Sequence, residues 1–295
     1  MRLPAFVLLF MAGLAPAVSA QEALLPRIGT DDLNVQVWGW TWSTYDFETE
    51  EGDPLSMWRV RATVDTQTPF GAFVELDLTN GTELEDNLVR QAFVTYSPSG
   101  ASWDIAAGRL FLAAYGTTPP PFLLGTARYM RYPFHVYGTG VQYHYADNGW
   151  DLKADVSGET NTLFDEGDQF DTLSASLRLR RDLSETLEVG VVLQTTANFD
   201  GIALETTWQP SPEHYVNAVA YTTDGDTERT GGYLFYGYRP IGDSLEFHAQ
   251  LDYQEDVPAE LLTTFGVRIK INRVQFVVDH ELNEGATYAR AQFRF

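Results

Sequence analysis

Between Arg109 and His135 the sequence reads RLFLAAYGTTPPPFLLGTARYMRYPFH, and this stretch gathers Arg109, Arg128, Arg131 and His135 with Tyr115, Tyr129 and Tyr132. It holds no Asp or Glu, in a chain that has 41 of them against 19 Lys and Arg. Cations held together at a narrow point favour anions, by the same logic that rings of charge follow in channels. The stretch is otherwise apolar and carries Pro119, Pro120, Pro121 and Pro133. Left in water, a segment of that composition would be an aggregation hazard. Folded against an inner wall, it would narrow whatever space that wall encloses. A second role fits the same residues: the arginines could pair with acids such as Asp65, Glu75 and Asp77 and pin the segment. The two roles are compatible.

Other chemistry is weaker. His135, His144, His214, His248 and His280 are the five histidines, and none sits in a metal-spaced pair such as HExxH. No GxSxG elbow is present. A lone His on a strand is usually wall lining, so the residues point away from an enzyme and call for no metal or cofactor. A barrel hydrolase and a receptor or adhesin barrel are the alternatives from other functional classes. There is no cysteine, hence no disulfide and no thiolate site. A net charge of -22 argues against a nucleic-acid partner, which would want a basic face.

The elements that would position these groups are strands. After the N-terminal region the chain repeats runs of alternating apolar and polar residues, each followed by a break. Sixteen runs can be drawn: 34–47, 57–67, 71–79, 88–97, 102–110, 136–146, 149–158, 171–181, 184–196, 199–209, 213–223, 231–239, 243–254, 261–271, 273–282 and 286–295. A tilted strand of about 9–11 residues crosses a bilayer. After the even runs the breaks are tight (TPFG, SPSG, ADNG, DLSE, PSPE, PIGD and Asn272). After most odd runs they are longer and acidic, as at Glu48 to Asp53 or Asp165 to Asp168. Short turns on one rim and long loops on the other mark outer-membrane barrels. The acidic loops read as solvated surface, or as sites where divalent cations bridge lipopolysaccharide phosphates.

The two faces of each run differ. At the C-terminus Ala289, Ala291, Phe293 and Phe295 oppose Tyr288, Arg290, Gln292 and Arg294. Leu177 and Leu179 oppose Arg178 and Arg180, and Phe265, Val267, Ile269 and Ile271 oppose Arg268 and Lys270. Val60, Ala62 and Val64 oppose Arg59 and Arg61, and Val74, Leu76 and Leu78 oppose Glu75 and Asp77. An apolar row against lipid and a charged row around water accounts for this. The runs 34–47 and 213–223 declare no face. The expected fold is all-β: an antiparallel, transmembrane, up-and-down barrel of about sixteen strands, with a constricting loop after the fifth. Arg109, Arg128, Arg131, His135 and Tyr129 would form the constriction. Arg59, Arg61, Glu75, Asp77, Arg178, Arg180, Arg268, Lys270, Arg290 and Arg294 would line the wall.

The N-terminus reads as an export signal. Arg2 precedes the apolar run Leu3 to Leu14, and Val18-Ser19-Ala20 offers a cleavage site, leaving 21–295 as one barrel domain. A terminal Phe behind alternating apolar residues resembles the C-terminal signature of bacterial outer-membrane barrels.

Sixteen strands with a narrowing loop after the fifth resemble the bacterial trimeric porins. Within those, WRVRATVDTQTPFGAFVELDL, VRQAFVTY, AAGRLFLAAYG and YGTGVQYHYADNGWDLKADV are similar to the phosphate-selective porin family. The resemblance covers about 57–158 and the last strand, and it matches Arg59, Arg61, Gly108 and Arg109 to family positions. It implies an outer-membrane homotrimer that passes small hydrophilic solutes or anions. Two departures stand against carrying over phosphate specificity. The only lysines are Lys153 and Lys270, and the outer loops are acidic.

Overall fold

The computed structural model describes residues 28–30, 33–46, 51–77, 89–115, 134–161, 173–225, 228–255, 261–283 and 285–295. Arg128, Tyr129 and Arg131, and the export signal at 1–20, lie outside the described residues. The strands are β1 (Ile28–Thr30), β2 (Leu33–Asp46), β3 (Glu51–Thr66), β4 (Phe70–Asp77), β5 (Val89–Tyr96), β6 (Trp103–Phe111), β7 (Tyr137–Asp147), β8 (Trp150–Asn161) and β9 (Ser174–Ser184). They continue with β10 (Leu187–Thr195), β11 (Phe199–Ser211), β12 (His214–Gly225), β13 (Arg229–Tyr238), β14 (Pro240–Asp243), β15 (Leu245–Gln254), β16 (Leu261–Ile271), β17 (Val274–Glu281) and β18 (Ala286–Arg294). No helix occurs among the described residues.

Sixteen of these strands form one antiparallel up-and-down ring, each pairing with its neighbours in the chain. β9 pairs with β10, and β18 pairs with β2 to close it. Phe295 itself is tied in: its N–H donates to Gly39 O at 3.0 Å, and Gly39 N–H donates to Phe295 O at 3.1 Å. The two additional strands are short. β1 pairs beside the start of β2, and β14 lies within the connection from β13 to β15. β3 also starts at Glu51, ahead of the expected 57, because Glu51, Gly52 and Asp53 pair with Asp46, Tyr45 and Thr44 across a bulge. Part of the first acidic break is therefore ladder.

The polarity of the barrel is inverted relative to a soluble domain. Its outward rows hold Val141, Leu204 and Phe265, exposed at 54, 60 and 49%. Its inward rows hold Glu246, Asp279 and Glu281, each at 0%, with Gln250 and Asp252. Apolar outside and polar within is stable where the outer solvent is hydrocarbon.

The tight turns share one rim. Asn148 and Gly149 both take positive φ, 50° and 74°, the pair of left-handed residues a two-residue hairpin of type I′ needs. An aromatic belt follows this rim on the outside. Phe70 meets Tyr96 at 5.0 Å between centroids, Tyr96 meets Trp103 at 6.1 Å, and Trp103 stacks on Tyr143 at 6.3 Å. His214 stacks on Tyr238 at 4.8 Å, and the Arg181 guanidinium lies 4.7 Å from the Trp150 ring. Such girdles mark the level where a barrel leaves the hydrocarbon for the headgroups.

Candidate functional site

The connection from β6 to β7 enters the barrel at both of its described ends. Leu112, Ala113 and Ala114 follow β6, and Phe134, His135 and Val136 precede β7; all six are buried. Leu112 N–H donates to Val136 O at 2.9 Å, which holds the two ends together. Alanine and phenylalanine are enclosed here because the facing wall is apolar too. Ala114 and Phe134 join one cluster with Val192, Phe199, Ala203, Tyr215, Val219, Tyr221, Tyr233, Phe235 and Val277. Those wall residues come from β10 to β13 and β17.

Polar contacts fix the docking. Ala113 N–H donates to the Asp155 carboxylate of β8, and Arg178 Nη1 of β9 donates to Tyr115 O at 3.4 Å. Gln142 Nε2 donates to Phe111 O at 2.9 Å. Phe134 meets Phe199 edge-on at 6.4 Å between centroids, and His135 meets the same ring at 5.3 Å. Burial pushes the His135 pKa down to about 4, so the ring is neutral at physiological pH. His135 thus docks the segment as a neutral aromatic and adds no positive charge to a constriction.

Arg109 also departs from expectation. The ladder pairs it with Thr139 and Ala92, in the row of Ile105, Ala107 and Val141. That row is the outward one, so the register does not place Arg109 in the lumen. Its neighbours Gly108 and Leu110 face inward, and the chain leaves the wall only after Phe111. The connection therefore begins at Leu112, three residues after Arg109.

The other wall residues fall on inward rows. Arg61 bonds Glu75, and its guanidinium lies 4.8 Å from the Trp38 ring and 5.7 Å from Phe73. Arg59 and Asp77 continue the same rows by register; their side chains are outside the described set. Arg178 bonds Glu205 at 2.7 Å, and Arg180 bonds Glu188 at 2.6 Å. Arg268 bonds Glu246 at 2.8 Å, and Lys270 lies 4.0 Å from Asp243. Arg290 is cross-strand from Val277, and Arg294 from Trp40 near the rim.

Several wall groups have partners that the sequence does not announce. Glu246 also accepts from Arg239 at 2.8 Å and from the Tyr215 hydroxyl at 2.9 Å. His248 and Asp279 meet at 2.7 Å, both side chains at 0% exposure. Their contact fits only because residue 266 is glycine: a Cβ there would overlap both groups. Alternation can mark Glu246 and His248 as inward, but it cannot say which strands bring them partners.

No family model matches the sequence, and no curated protein matches it. Solved structures do. OmpT, an outer membrane protein of Vibrio cholerae in a trimer form, aligns with TM-score 0.68 and 14% identity over 90% of this chain and 100% of that one. A mutant of the porin of Rh. blastica aligns with TM-score 0.68 and 12% identity over 89% of this chain and 100% of that one. This chain has the outer-membrane barrel fold. The barrel's neighbours include porins, and the similarity to the phosphate-selective family gains no family match from them.

Proposed function

We propose that this barrel is a porin, passing small hydrophilic solutes or ions by passive diffusion across the outer membrane. The observation that carries the reading is a sixteen-strand ring with charged inner rows and a connection folded inward after its fifth strand, β6. A ring of this size leaves an aqueous channel, where eight strands would leave only a packed interior. An enclosed His–Asp pair such as His248–Asp279 is out of reach of a substrate, which favours wall structure over hydrolysis at that place. The channel requires no cofactor. Its assembly is a homotrimer, in keeping with the trimer form of the Vibrio protein. The outward rows of β18 and β2 support this with small side chains, Ala289, Ala291, Thr41 and Ser43, where β15 and β16 present Phe247, Leu251, Phe265 and Ile269. Residues 1–20 direct export and are removed, and the mature barrel 21–295 meets lipid and lipopolysaccharide.

Selectivity is weak and anionic, set by Arg128 and Arg131. Among the described luminal arginines, Arg61, Arg178, Arg180 and Arg268 have carboxylate partners, so those four charges largely cancel. The test is single-channel conductance of the refolded protein in planar bilayers. Stepwise ohmic openings in KCl are expected. A barrel that inserts without conducting would overturn the channel reading in favour of a receptor or enzyme.

A further inference from the structure

A cavity of about 410 Å³ opens on the lumen where the inserted connection meets the inner wall of β5 to β9. Phe93, Phe111 and Tyr115 line it together with Gln142, Lys153 and Arg178. We infer that this cavity is a recognition site for a small ring-bearing monocarboxylate. The inference deepens the channel reading by naming a solute class, and it rests on that reading for the ligand's route in.

The aromatic lining is preorganised. Phe111 is held between Tyr115 and Tyr137, each at 4.4 Å between centroids, and Phe93 stacks on Phe73 at 5.2 Å. Such rings offer a flat apolar surface to a ring at low entropic cost. The volume suits a ligand: small-molecule sites run to roughly 300–1,000 Å³, apolar walls with few placed polar groups.

The charged lining groups differ in availability. Arg178 is committed to Glu205, at 2.7 and 3.4 Å, and to Tyr115 O. Asp104 meets His144 Nδ1 at 2.9 Å, and Asp151 meets His144 Nε2 at 3.4 Å. Lys153 has no carboxylate within 4.0 Å among the described residues, and Asp151 and Asp104 reach it only through the longer-range field. Its ammonium carries three donors and is the lining cation left to receive an anion. A ligand with a carboxylate on Lys153 and a ring against Phe93 satisfies both kinds of lining group at once.

Benzoate is the probe. Its binding to the full mature barrel in detergent is measured by isothermal titration calorimetry, with acetate supplying charge without a ring and benzyl alcohol a ring without charge. Benzoate should bind saturably, and both controls about tenfold more weakly or worse. Lys153→Gln should weaken benzoate by about tenfold, the scale of one charge-assisted hydrogen bond, and Lys153→Arg should retain it. Equal affinities for benzoate and acetate, or equal affinities of wild type and Lys153→Gln, would overturn the site. Phe93→Leu keeps an apolar wall and should also weaken benzoate but not acetate; no change there sinks the stacking half. Conductance of the same preparation separates the two readings. Binding without conductance removes the channel and leaves the site, and conductance without Lys153-dependent binding does the reverse.

Discussion

Gln194 and His135 exchange two hydrogen bonds, the His135 N–H donating to Gln194 Oε1 at 2.7 Å and Gln194 Nε2 donating to the His135 carbonyl at 2.9 Å. A side-chain amide on β10 thereby does for the inserted segment what a neighbouring strand's backbone would do. Both groups are buried, so neither can turn to water instead. Gln194→Leu should remove both of these buried hydrogen bonds, each at a cost of about 1–3 kcal/mol. The expected result is a barrel that still folds but whose inserted segment is released. Single-channel recordings should show larger conductance or added flicker, and limited proteolysis should cut between 112 and 136. Unchanged recordings and protection would show that the apolar cluster alone docks the segment.

The same docking should depend on acid. His135 has its pKa pushed down to about 4 by burial, against an ordinary value of 6.5 once undocked. Between those values the undocked state binds more protons, so docking weakens as pH falls. Its stability is complete above about pH 6.5 and is lost progressively as pH drops towards 4. Current noise should therefore rise over that window in wild type. His135→Gln should remove the pH dependence, because it cannot titrate. A wild-type trace that stays quiet down to pH 4 would take His135 out of the switch.

Glu246 is the hub of the wall on β15, with Arg268 and Arg239 each at 2.8 Å and the Tyr215 hydroxyl at 2.9 Å. Removing its charge leaves two guanidiniums facing a neutral group in an enclosed place. Breaking a buried pair in this way costs about 3–5 kcal/mol. Glu246→Gln should lower the urea midpoint of the detergent-folded barrel, as read by heat-modifiable mobility on gels. Glu188→Gln removes the partly exposed partner of Arg180 and should have a much smaller effect. Equal effects of the two would mean that burial does not decide the strength of these pairs.

The fold was legible in the sequence because a barrel in lipid writes its two solvents into alternate residues. Where both rows are apolar, that contrast vanishes. On β12 the outward row holds Val216, Ala218 and Ala220, while the inward row is Tyr215, Asn217, Val219 and Tyr221, all but Asn217 in the cluster under the inserted segment. The run 213–223 could declare no face for that reason. The first run hid its face similarly, since Trp38 stands inward against Arg61. The site was legible as composition only. An acid-free stretch with aromatics marked the inserted segment, but its partners Gln194, Asp155 and Phe199 are far along the chain and look like ordinary strand residues. Arg109 was misplaced because charge suggested lumen where strand parity gives the outer row.

Arg128 and Arg131 supply the sharpest test of selectivity. With Arg61, Arg178, Arg180 and Arg268 paired, a double change of these two to Gln should shift the reversal potential under a KCl gradient towards cations by a measurable amount. Arg61→Gln removes one luminal positive charge where the double variant removes two, and should shift it in the same direction by less. An unchanged potential in the double variant would remove Arg128 and Arg131 from the selectivity role.

Gly201 on β11 tests the docking from the wall side. A Cβ at this position would come within 2.7 Å of the Phe134 ring and 3.1 Å of Thr223 Cγ2. The ring is fully enclosed by its cluster, so it cannot retreat without opening a void or pushing the connection inward. Gly201→Ala should therefore displace the segment while leaving the strand ladder intact, and it should reproduce the flicker expected of Gln194→Leu. Shrinking the intruding ring should relieve the clash. Gly201→Ala combined with Phe134→Leu is expected to be quieter than Gly201→Ala alone. If the double variant is noisier than either single change, the two residues do not share this contact in the conducting barrel.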